Sequence, residues 1–306
     1  MYKNSVKLSR YAAGMLVLML GVVLNSAGQY DFMGIRYKGD TVEIPRAKPY
    51  KSGKSIPSLD FSIDSIRPLD ELVTGNGEAY PWLSPEGNRI YYVEGYKYTK
   101  IYMAEKKAGG YRFSNLRPVS FKNYNITTYY HGIWLSNDEL NIYFIQTSDT
   151  AKTFANLYYA KRDSINQKFS EPKKIKLIAN NIYNYASPSF TQDMENLYLI
   201  LVQDTNLIIN YYLCRFIRTG EDEYTLNDTI NIPDGYYPLQ GMLTSDDLKY
   251  ILILWKKETK IYIFKRTSID ESFSKLYYIN NSYLYDTVFS FIGTPYFSLN
   301  NNALIY

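Results

Sequence analysis

This sequence contains few of the residues and motifs that catalyse reactions, bind metal ions or hold phosphate groups. His131 is the sole histidine among the 306 residues. Metal sites built on two histidines, and Ser-His-Asp catalysis with a spare histidine, are therefore strongly disfavoured. No G-x-x-x-x-G-K-S/T or G-x-G-x-x-G motif occurs that would hold a phosphate group. The sequence predicts no metal site and no cofactor.

Carboxylates are scarce in the five segments that would form the inner strands of the fold described below. Those segments, AYPWLS, GIWLS, SPSFT, QGMLT and TPYFS, contain no Asp, Glu, Arg or His, and only Glu78 and His131 lie just before two of them. Glycoside hydrolysis needs two well-placed carboxyl groups, so a single one is insufficient. The sequence therefore predicts a protein that is not an enzyme. A carbohydrate-active hydrolase with its site at the channel mouth is the alternative.

Tyrosine is abundant, with 34 residues, and it clusters in the loops that lead into the same five segments. Tyrosine gives a large contact area at low entropic cost and carries a hydroxyl for hydrogen bonds, while neighbouring asparagines suit peptide or glycan groups. Part of the clustering follows from composition alone, and His131 also suits a structural, hydrogen-bonded role. The predicted ligand- or partner-binding residues are Glu78, Tyr80, Tyr129, Tyr130, His131, Asn184, Tyr185, Tyr236, Tyr237, Tyr283 and Tyr285.

A repeat of about fifty residues must position these side chains. The stretch PWLSPEGNRIYYVEG has four later counterparts, and the hydroxyl residue at the turn recurs at intervals of 52, 55, 53 and 54 residues. These turn residues are Ser84, Ser136, Thr191, Thr244 and Ser298. A third strand with a matched tyrosine follows in four copies, and a recurring aromatic then opens a fourth strand: Phe113, Phe169, Tyr224 and Phe273. Four strands per unit are the size of one β-propeller blade.

The second strand of each unit indicates how the units pack. RIYYV and NLYLILV are apolar on both faces, whereas an open antiparallel sheet normally has one polar face toward solvent. Each sheet is therefore expected to be covered on both sides by its neighbours. In the turn before this strand, the hydroxyl and the short polar residue two positions later are expected to accept hydrogen bonds from backbone N–H groups.

The ends of the chain predict how such a ring would close. After Ser298 there is room for only one more hairpin, while residues 29–60 precede the repeats and have strand-like stretches. We therefore predict an all-β fold, a five-bladed β-propeller over residues 61–306 of four-stranded antiparallel blades, closed by a composite blade of N- and C-terminal strands. Such closure removes exposed sheet edges. Six blades are the alternative.

Residues 1–28 have the three parts of a secretory signal. A cationic start is followed by the apolar run AAGMLVLMLGVVL and a small-residue exit, NSAG. The run is shorter than the roughly 20 residues of a membrane span, so we predict removal and no stable span afterwards, with an uncleaved anchor as the alternative. Cys214 is the only cysteine and is expected in the core. Export without disulfides suits the periplasm or outer surface of a Gram-negative bacterium.

Charge excludes one class of partner. The net charge of the whole chain is only +4, so no nucleic-acid binding is expected. Cations end the third strands, as at Arg162 and Arg266, and acidic residues such as Asp138 and Asp246 occupy the first turns of the same units. Antiparallel pairing would bring these charges together, so local ion pairs are expected rather than a basic binding surface.

The patterns S-P-E-G-x-x-I-Y-Y and S-x-D, followed by I-Y-x-A, resemble the TolB-type, WD-like β-propeller repeat of periplasmic proteins in Gram-negative bacteria. The resemblance covers about residues 61–306, although the later copies depart from the usual S-P-D-G. It implies a non-enzymatic scaffold or binding role. The expected function is thus an exported protein-interaction or ligand-binding module of the cell envelope, whose partner is an envelope protein, a peptide or a glycan.

Overall fold

The structure, a computed structural model, describes the chain in sixteen ranges that hold all the strands. These are residues 58–59, 69–72, 78–94, 100–107, 110, 112–124, 130–147, 155–179, 184–205, 208–232, 237–243, 247–255, 259–273, 275–279, 296–298 and 303–305. Apart from a 3-10 helix at Asp70–Leu72, the regular elements within these ranges are strands. None of the helical structure in these ranges is long and apolar enough to cross a membrane. The predicted signal and most of the N-terminal extension lie outside the described residues.

The first two blades are four-stranded antiparallel sheets whose strands follow chain order. Before them comes a short strand, β1 (Ser58–Leu59). The first blade consists of β2 (Glu78–Leu83), β3 (Arg89–Glu94), β4 (Lys100–Lys106) and β5 (Phe113–Pro118). The second blade consists of β6 (Tyr130–Leu135), β7 (Asn141–Thr147), β8 (Ala155–Lys161) and β9 (Lys173–Lys174).

The third and fourth blades each carry a fifth strand that is added in parallel at the outer edge. The third blade consists of β10 (Lys176–Ile178) at that edge and then β11 (Asn184–Phe190), β12 (Asn196–Thr205), β13 (Ile208–Gly220) and β14 (Glu223–Asn231). The fourth blade consists of β15 (Tyr237–Leu243), β16 (Lys249–Trp255), β17 (Thr259–Lys265) and β18 (Lys275–Ile279), with β1 at its edge.

The inner strands of the blades contact one another in succession. Strand β2 contacts β6, β6 contacts β11, and β11 contacts β15. A two-stranded sheet, β19 (Tyr296–Ser298) with β20 (Ala303–Ile305), follows, and β19 contacts β2. The described residues thus form a propeller-like, all-β ring with four blades, which confirms the fold class at that level.

Two finer features of the predicted fold require correction. The predicted count was five blades, whereas the structure describes four together with the β19–β20 hairpin. The described N-terminal strand β1 does not pair with that hairpin in a composite blade. It pairs with β18 of the fourth blade, where Ser58 lies opposite Tyr278 and Leu59 opposite Ile279. That pairing satisfies backbone groups that the outermost strand would otherwise expose.

The second strand of each blade is buried on both faces, as the sequence predicts. In β3, Ile90, Tyr91, Tyr92 and Val93 are all buried, and in β12 consecutive side chains from Leu197 to Leu201 are buried. Apolar clusters join the first blade to the second, the second to the third and the third to the fourth. Cys214 lies within one of these clusters and is buried. The core is therefore a series of contacts between blades.

The turn between the first and second strands has the predicted chemistry. Ser84 Oγ accepts hydrogen bonds from the N–H groups of Asn88 and Arg89, at 3.1 and 3.0 Å. Asp138 Oδ1 accepts from the N–H of Leu140 at 2.9 Å. One residue further on, the backbone is left-handed in four blades, at Gly87, Glu139, Met194 and Asp247. The carbonyl groups at three of these positions receive the side-chain hydrogen bonds described next.

Candidate functional site

A buried arginine forms hydrogen bonds to both the first and the second blade. Arg162, at the end of β8, donates from Nε to the carbonyl oxygen of Glu139 at 3.0 Å and from Nη2 to the hydroxyl of Tyr91 at 2.8 Å. Its guanidinium lies 4.3 Å from the centroid of the Phe169 ring. Because Tyr91 belongs to the first blade, this one side chain links both blades.

The same arrangement recurs between the third and fourth blades. Arg266, after β17, donates from Nε to the carbonyl oxygen of Asp247 at 2.8 Å and from Nη1 to the hydroxyl of Tyr198 at 2.5 Å. It lies 4.8 Å from the centroid of Phe273. We call Arg162 and Arg266 the interblade arginines. The expected ion pair of Arg162 with Asp138 is wrong, because the buried guanidinium bonds carbonyl and hydroxyl oxygens instead. Asp246, the expected partner of Arg266, lies outside the described residues.

The contact between the second and third blades lacks an interblade arginine. Tyr224 occupies the position of Phe169 and Phe273, and its hydroxyl donates to the carbonyl oxygen of Met194 at 2.8 Å. That carbonyl corresponds to those of Glu139 and Asp247. The acceptor that an arginine uses in the other two contacts is thus already occupied.

Arg218 has the same backbone position as the interblade arginines, but its side chain makes different bonds. Its N–H donates to the carbonyl of Glu195, as that of Arg162 does to Leu140. Its side chain instead donates from Nε to the carbonyl of Gly220 at 3.1 Å and pairs with Glu195 at 3.7 Å. The hydroxyl of Tyr143, which corresponds to Tyr91 and Tyr198, is not bonded by Arg218.

A cleft opens where the arginine is missing. Between the second and third blades the cavity volume is about 430 Å³. Between the first and second blades, a hollow lined by Arg162 and Phe169 measures about 140 Å³. The larger volume falls within the ~300–1,000 Å³ typical of small-molecule sites. We call this space the 2–3 cleft.

Interlocked aromatic rings form the apolar wall of the 2–3 cleft. Tyr143 contacts Phe190 with ring centroids 4.3 Å apart, and Trp134 contacts Phe190 at 5.0 Å. Tyr224 meets Phe190 edge-on at 5.7 Å. Tyr159 stacks on Tyr143 at 5.9 Å with an interplanar angle of 22° and remains half-buried. The rings of Trp134, Tyr143, Tyr159 and Tyr224 all line the cavity.

Polar side chains surround this aromatic wall. The second blade contributes Asn137, Asp138, Asn141 and Lys161, and the third contributes Gln192, Arg218, Glu221 and Asp222. Burial raises the pKa of Tyr159 to about 12, and the nearby Asp222 carboxylate adds to that increase. Burial likewise raises the pKa of Tyr143 to about 12. Both hydroxyls therefore remain protonated at neutral pH and can donate hydrogen bonds.

The predicted tyrosine rim is only partly visible. Glu78, His131, Asn184 and Tyr237 lie at or next to the starts of the inner strands β2, β6, β11 and β15, but their side chains are outside the described part. The residues Tyr129, Tyr236, Tyr283 and Tyr285 also lie outside it.

Three rim tyrosines have described side chains. Tyr130 is 1% exposed and meets Phe144 edge-on at 5.1 Å, and Tyr185 is buried against Phe216. Tyr80 is half-buried and lies at a bulge with a positive φ of 55°. Tyr130 and Tyr185 therefore serve blade packing here, because strand alternation turns them toward the core, and neither lines the 2–3 cleft.

One residue in the sequence is a signal for the 2–3 cleft. In the aromatic series Phe113, Phe169, Tyr224 and Phe273, only the third member carries a hydroxyl. The consequence of that hydroxyl depends on the carbonyl of Met194, whose position is known only from the fold.

Comparisons with known proteins assign this chain to no family. No protein-family description matches the sequence, and no curated protein is significantly similar to it. Solved structures that are similar include a gluconolactonase from Xanthomonas campestris, with 11% identity over 73% of this chain and 66% of the other and a TM-score of 0.39. A prolyl endopeptidase matches at 16% identity, over 66% of this chain and 29% of the other, with a TM-score of 0.38.

A puromycin-hydrolyzing peptidase from Mycobacterium tuberculosis matches at 15% identity over 67% of this chain, with a TM-score of 0.38. This chain spans 30% of that peptidase, so it corresponds to less than a third of either peptidase. These neighbours are enzymes, and the prediction that this protein is not an enzyme is wrong by that comparison. The propeller-like fold follows from the sheets and inner-strand contacts of the structure, and the TolB type specifically is not shown.

Proposed function

We propose that this protein is a β-propeller module that binds a ligand in the 2–3 cleft. The observation that carries the proposal is the replacement of an interblade arginine by the hydroxyl of Tyr224. Two of the three blade contacts are sealed by buried arginines, and the third holds a cavity about three times larger. A defect in packing costs stability, so a cavity of this size lined by converging polar groups is better explained by ligand binding.

The position of the cleft also favours binding. It is built from turns and strand ends of two adjacent blades, which are held by cross-strand hydrogen bonds and by the aromatic contacts of Phe190. Polar side chains on such a rigid scaffold lose little conformational freedom when a ligand binds. A ligand in the cleft would contact both blades at once.

Hydrolysis of a carbohydrate is the second candidate function, and the carboxylates of the cleft favour it. A single carboxylate near the channel mouth, Glu78 at the start of β2, argued against a hydrolase with its site there. The 2–3 cleft, however, contains Asp138, Glu221 and Asp222. Two carboxyl groups on either side of a glycosidic bond are what such a reaction requires.

A titration with a cleft-blocking variant tests the binding function. Purified full-length protein would be titrated by calorimetry with neutral hexasaccharides and with synthetic hexapeptides. We expect Asn137→Trp to fill the cleft and weaken any binding at least tenfold, because Asn137 is exposed at its edge. The control is Glu86→Trp, at an exposed site in the first blade's turn, where we expect less than a twofold change. Binding that Asn137→Trp leaves unaltered would contradict the proposal.

A separate assay tests the second candidate. The hexasaccharides would be incubated with the protein and shorter products measured by chromatography. Product release that disappears in Asp138→Asn or Asp222→Asn but persists in the surface variant Glu86→Gln would support hydrolysis. Failure of the wild-type protein to release products would remove this candidate and leave the binding function standing.

We also propose, from the sequence, that the protein is exported to the periplasm or outer surface of a Gram-negative bacterium and belongs to the TolB-type propeller class. Support comes from the signal-like residues 1–28 and the turn motifs at Ser84 and Ser136. The tyrosine-rich rim remains a second proposed contact surface for an envelope protein, peptide or glycan. Cell fractionation with an antibody against the chain tests the location, and recovery in the cytoplasmic fraction would contradict it.

A further inference from the structure

We propose that the ligand class of the 2–3 cleft is a neutral carbohydrate. This inference rests on the proposed function and adds the chemistry of the ligand. Three properties of the cleft carry it: an aromatic platform, a nearly balanced set of charges, and many groups that bond hydroxyls.

The platform is the ring of Tyr159. This ring is half-buried, and its inner face stacks on Tyr143, which in turn contacts Phe190. A flat apolar surface held in this way complements the C–H face of a pyranose ring, and aromatic side chains contribute much contact energy at low entropic cost.

The charges of the cleft do not favour a strongly charged ligand. Three carboxylates, Asp138, Glu221 and Asp222, face two cations, Lys161 and Arg218. Arg218 is already paired with Glu195. A basic peptide would meet the two cations, and a polyanion would meet the three carboxylates. Like charges placed together cost free energy, so neither ligand is favoured.

The remaining polar groups match hydroxyls. Side-chain amides of Asn137, Asn141 and Gln192 both donate and accept hydrogen bonds, and the carboxylates accept them. A sugar hydroxyl is at once a donor and an acceptor, so each of these groups finds a partner on it. A ligand with only donors or only acceptors would leave part of this set unpaired, which lowers affinity.

Calorimetric titration with chitohexaose, cellohexaose and maltohexaose tests the carbohydrate class. We expect at least one of them to bind with Kd below about 1 mM. Tyr159→Ala should weaken that binding at least tenfold, whereas Tyr159→Phe, which keeps the ring, should weaken it less than fivefold. The matched control is Tyr102→Ala in the first blade, where another half-buried tyrosine stacks on Tyr92 at 6.0 Å, and it should leave binding within twofold.

The outcomes separate this inference from the proposed function. If none of the three hexasaccharides binds, or if Tyr159→Ala binds as well as the wild type, the carbohydrate class is overturned. If hexapeptides bind instead and Asn137→Trp abolishes that binding, the cleft still binds a ligand and only its assigned chemistry is wrong. Thermal unfolding of each variant shows whether a loss of binding accompanies a loss of folded protein. If Tyr159→Ala does not fold, Tyr159→Phe, which keeps the ring, tests the inference: a loss of binding of more than fivefold in that variant would overturn it.

Discussion

The hydroxyl of Tyr91 provides a measurable test of the interblade arginine. It donates to Glu139 Oε2 at 2.7 Å and accepts from Arg162 at 2.8 Å, so both of its partners are charged. A hydrogen bond to a charged group contributes about 1.5–3 kcal/mol. Tyr91→Phe removes two such bonds, but Glu139 keeps both bonds from Arg89 Nε, each of 2.8 Å. Two such bonds sum to about 3–6 kcal/mol, and because Glu139 stays paired we expect Tyr91→Phe to lower the free energy of unfolding by the lower part of that range, about 3–4 kcal/mol.

The corresponding tyrosine of the second blade is the control. Tyr143 occupies the same repeat position, but among the described residues its hydroxyl receives no bond from an arginine. Tyr143→Phe should change the free energy of unfolding by less than about 0.5 kcal/mol, as is usual where no partner is lost. The two variants remove the same atom from equivalent strands. Their difference therefore reports the two charged hydrogen bonds of Tyr91, to Glu139 and from Arg162.

Urea unfolding followed by far-UV circular dichroism measures both variants. We expect the midpoint of Tyr91→Phe to fall with little change in the slope of the free energy against urea concentration. In a double-mutant cycle, Tyr91→Phe and Arg162→Met should be coupled by more than about 0.5 kcal/mol. Equal midpoints for Tyr91→Phe and Tyr143→Phe, or a cycle without coupling, would refute the proposed role of the interblade arginine.

Three further predictions concern backbone geometry and pH. Gly132→Ala should lower the free energy of unfolding by more than about 2 kcal/mol, since Gly132 has a φ of +123° and a Cβ there would lie 2.9 Å from Pro188 Cδ; an unchanged urea midpoint would contradict this. Gly241→Ala should lower the free energy of unfolding by about 1–3 kcal/mol in the same assay, because its Cβ would overlap the buried Tyr250 hydroxyl. Stability should be full below about pH 10 and decline between about pH 10 and 12, because burial raises the folded-state pKa of Tyr143 to about 12 while the unfolded chain releases its proton near 10. Tyr143→Phe should reduce that decline.

The sequence predicts the blade itself because a blade is specified locally. A hydroxyl such as Ser84 bonds N–H groups four and five residues away, and the short turn that follows fixes the pairing of the two strands. Strands that are apolar on both faces then require neighbours on both sides. These interactions act within one repeat, so the period and the composition of a single copy suffice to predict them.

The number of blades and the position of the cleft depend on contacts between distant residues. Strand β1 pairs with β18 more than two hundred residues along the chain, and no local pattern distinguishes that edge from the edge of the C-terminal hairpin. Tyr224 differs from Phe169 by one hydroxyl, yet whether that hydroxyl displaces an arginine depends on which carbonyl lies beside it. The sequence by itself determined the repeated four-stranded unit, since its hydrogen bonds are short-range. The tertiary structure decided which strands close the edges and where a cleft opens, because both follow from which blades lie side by side in space.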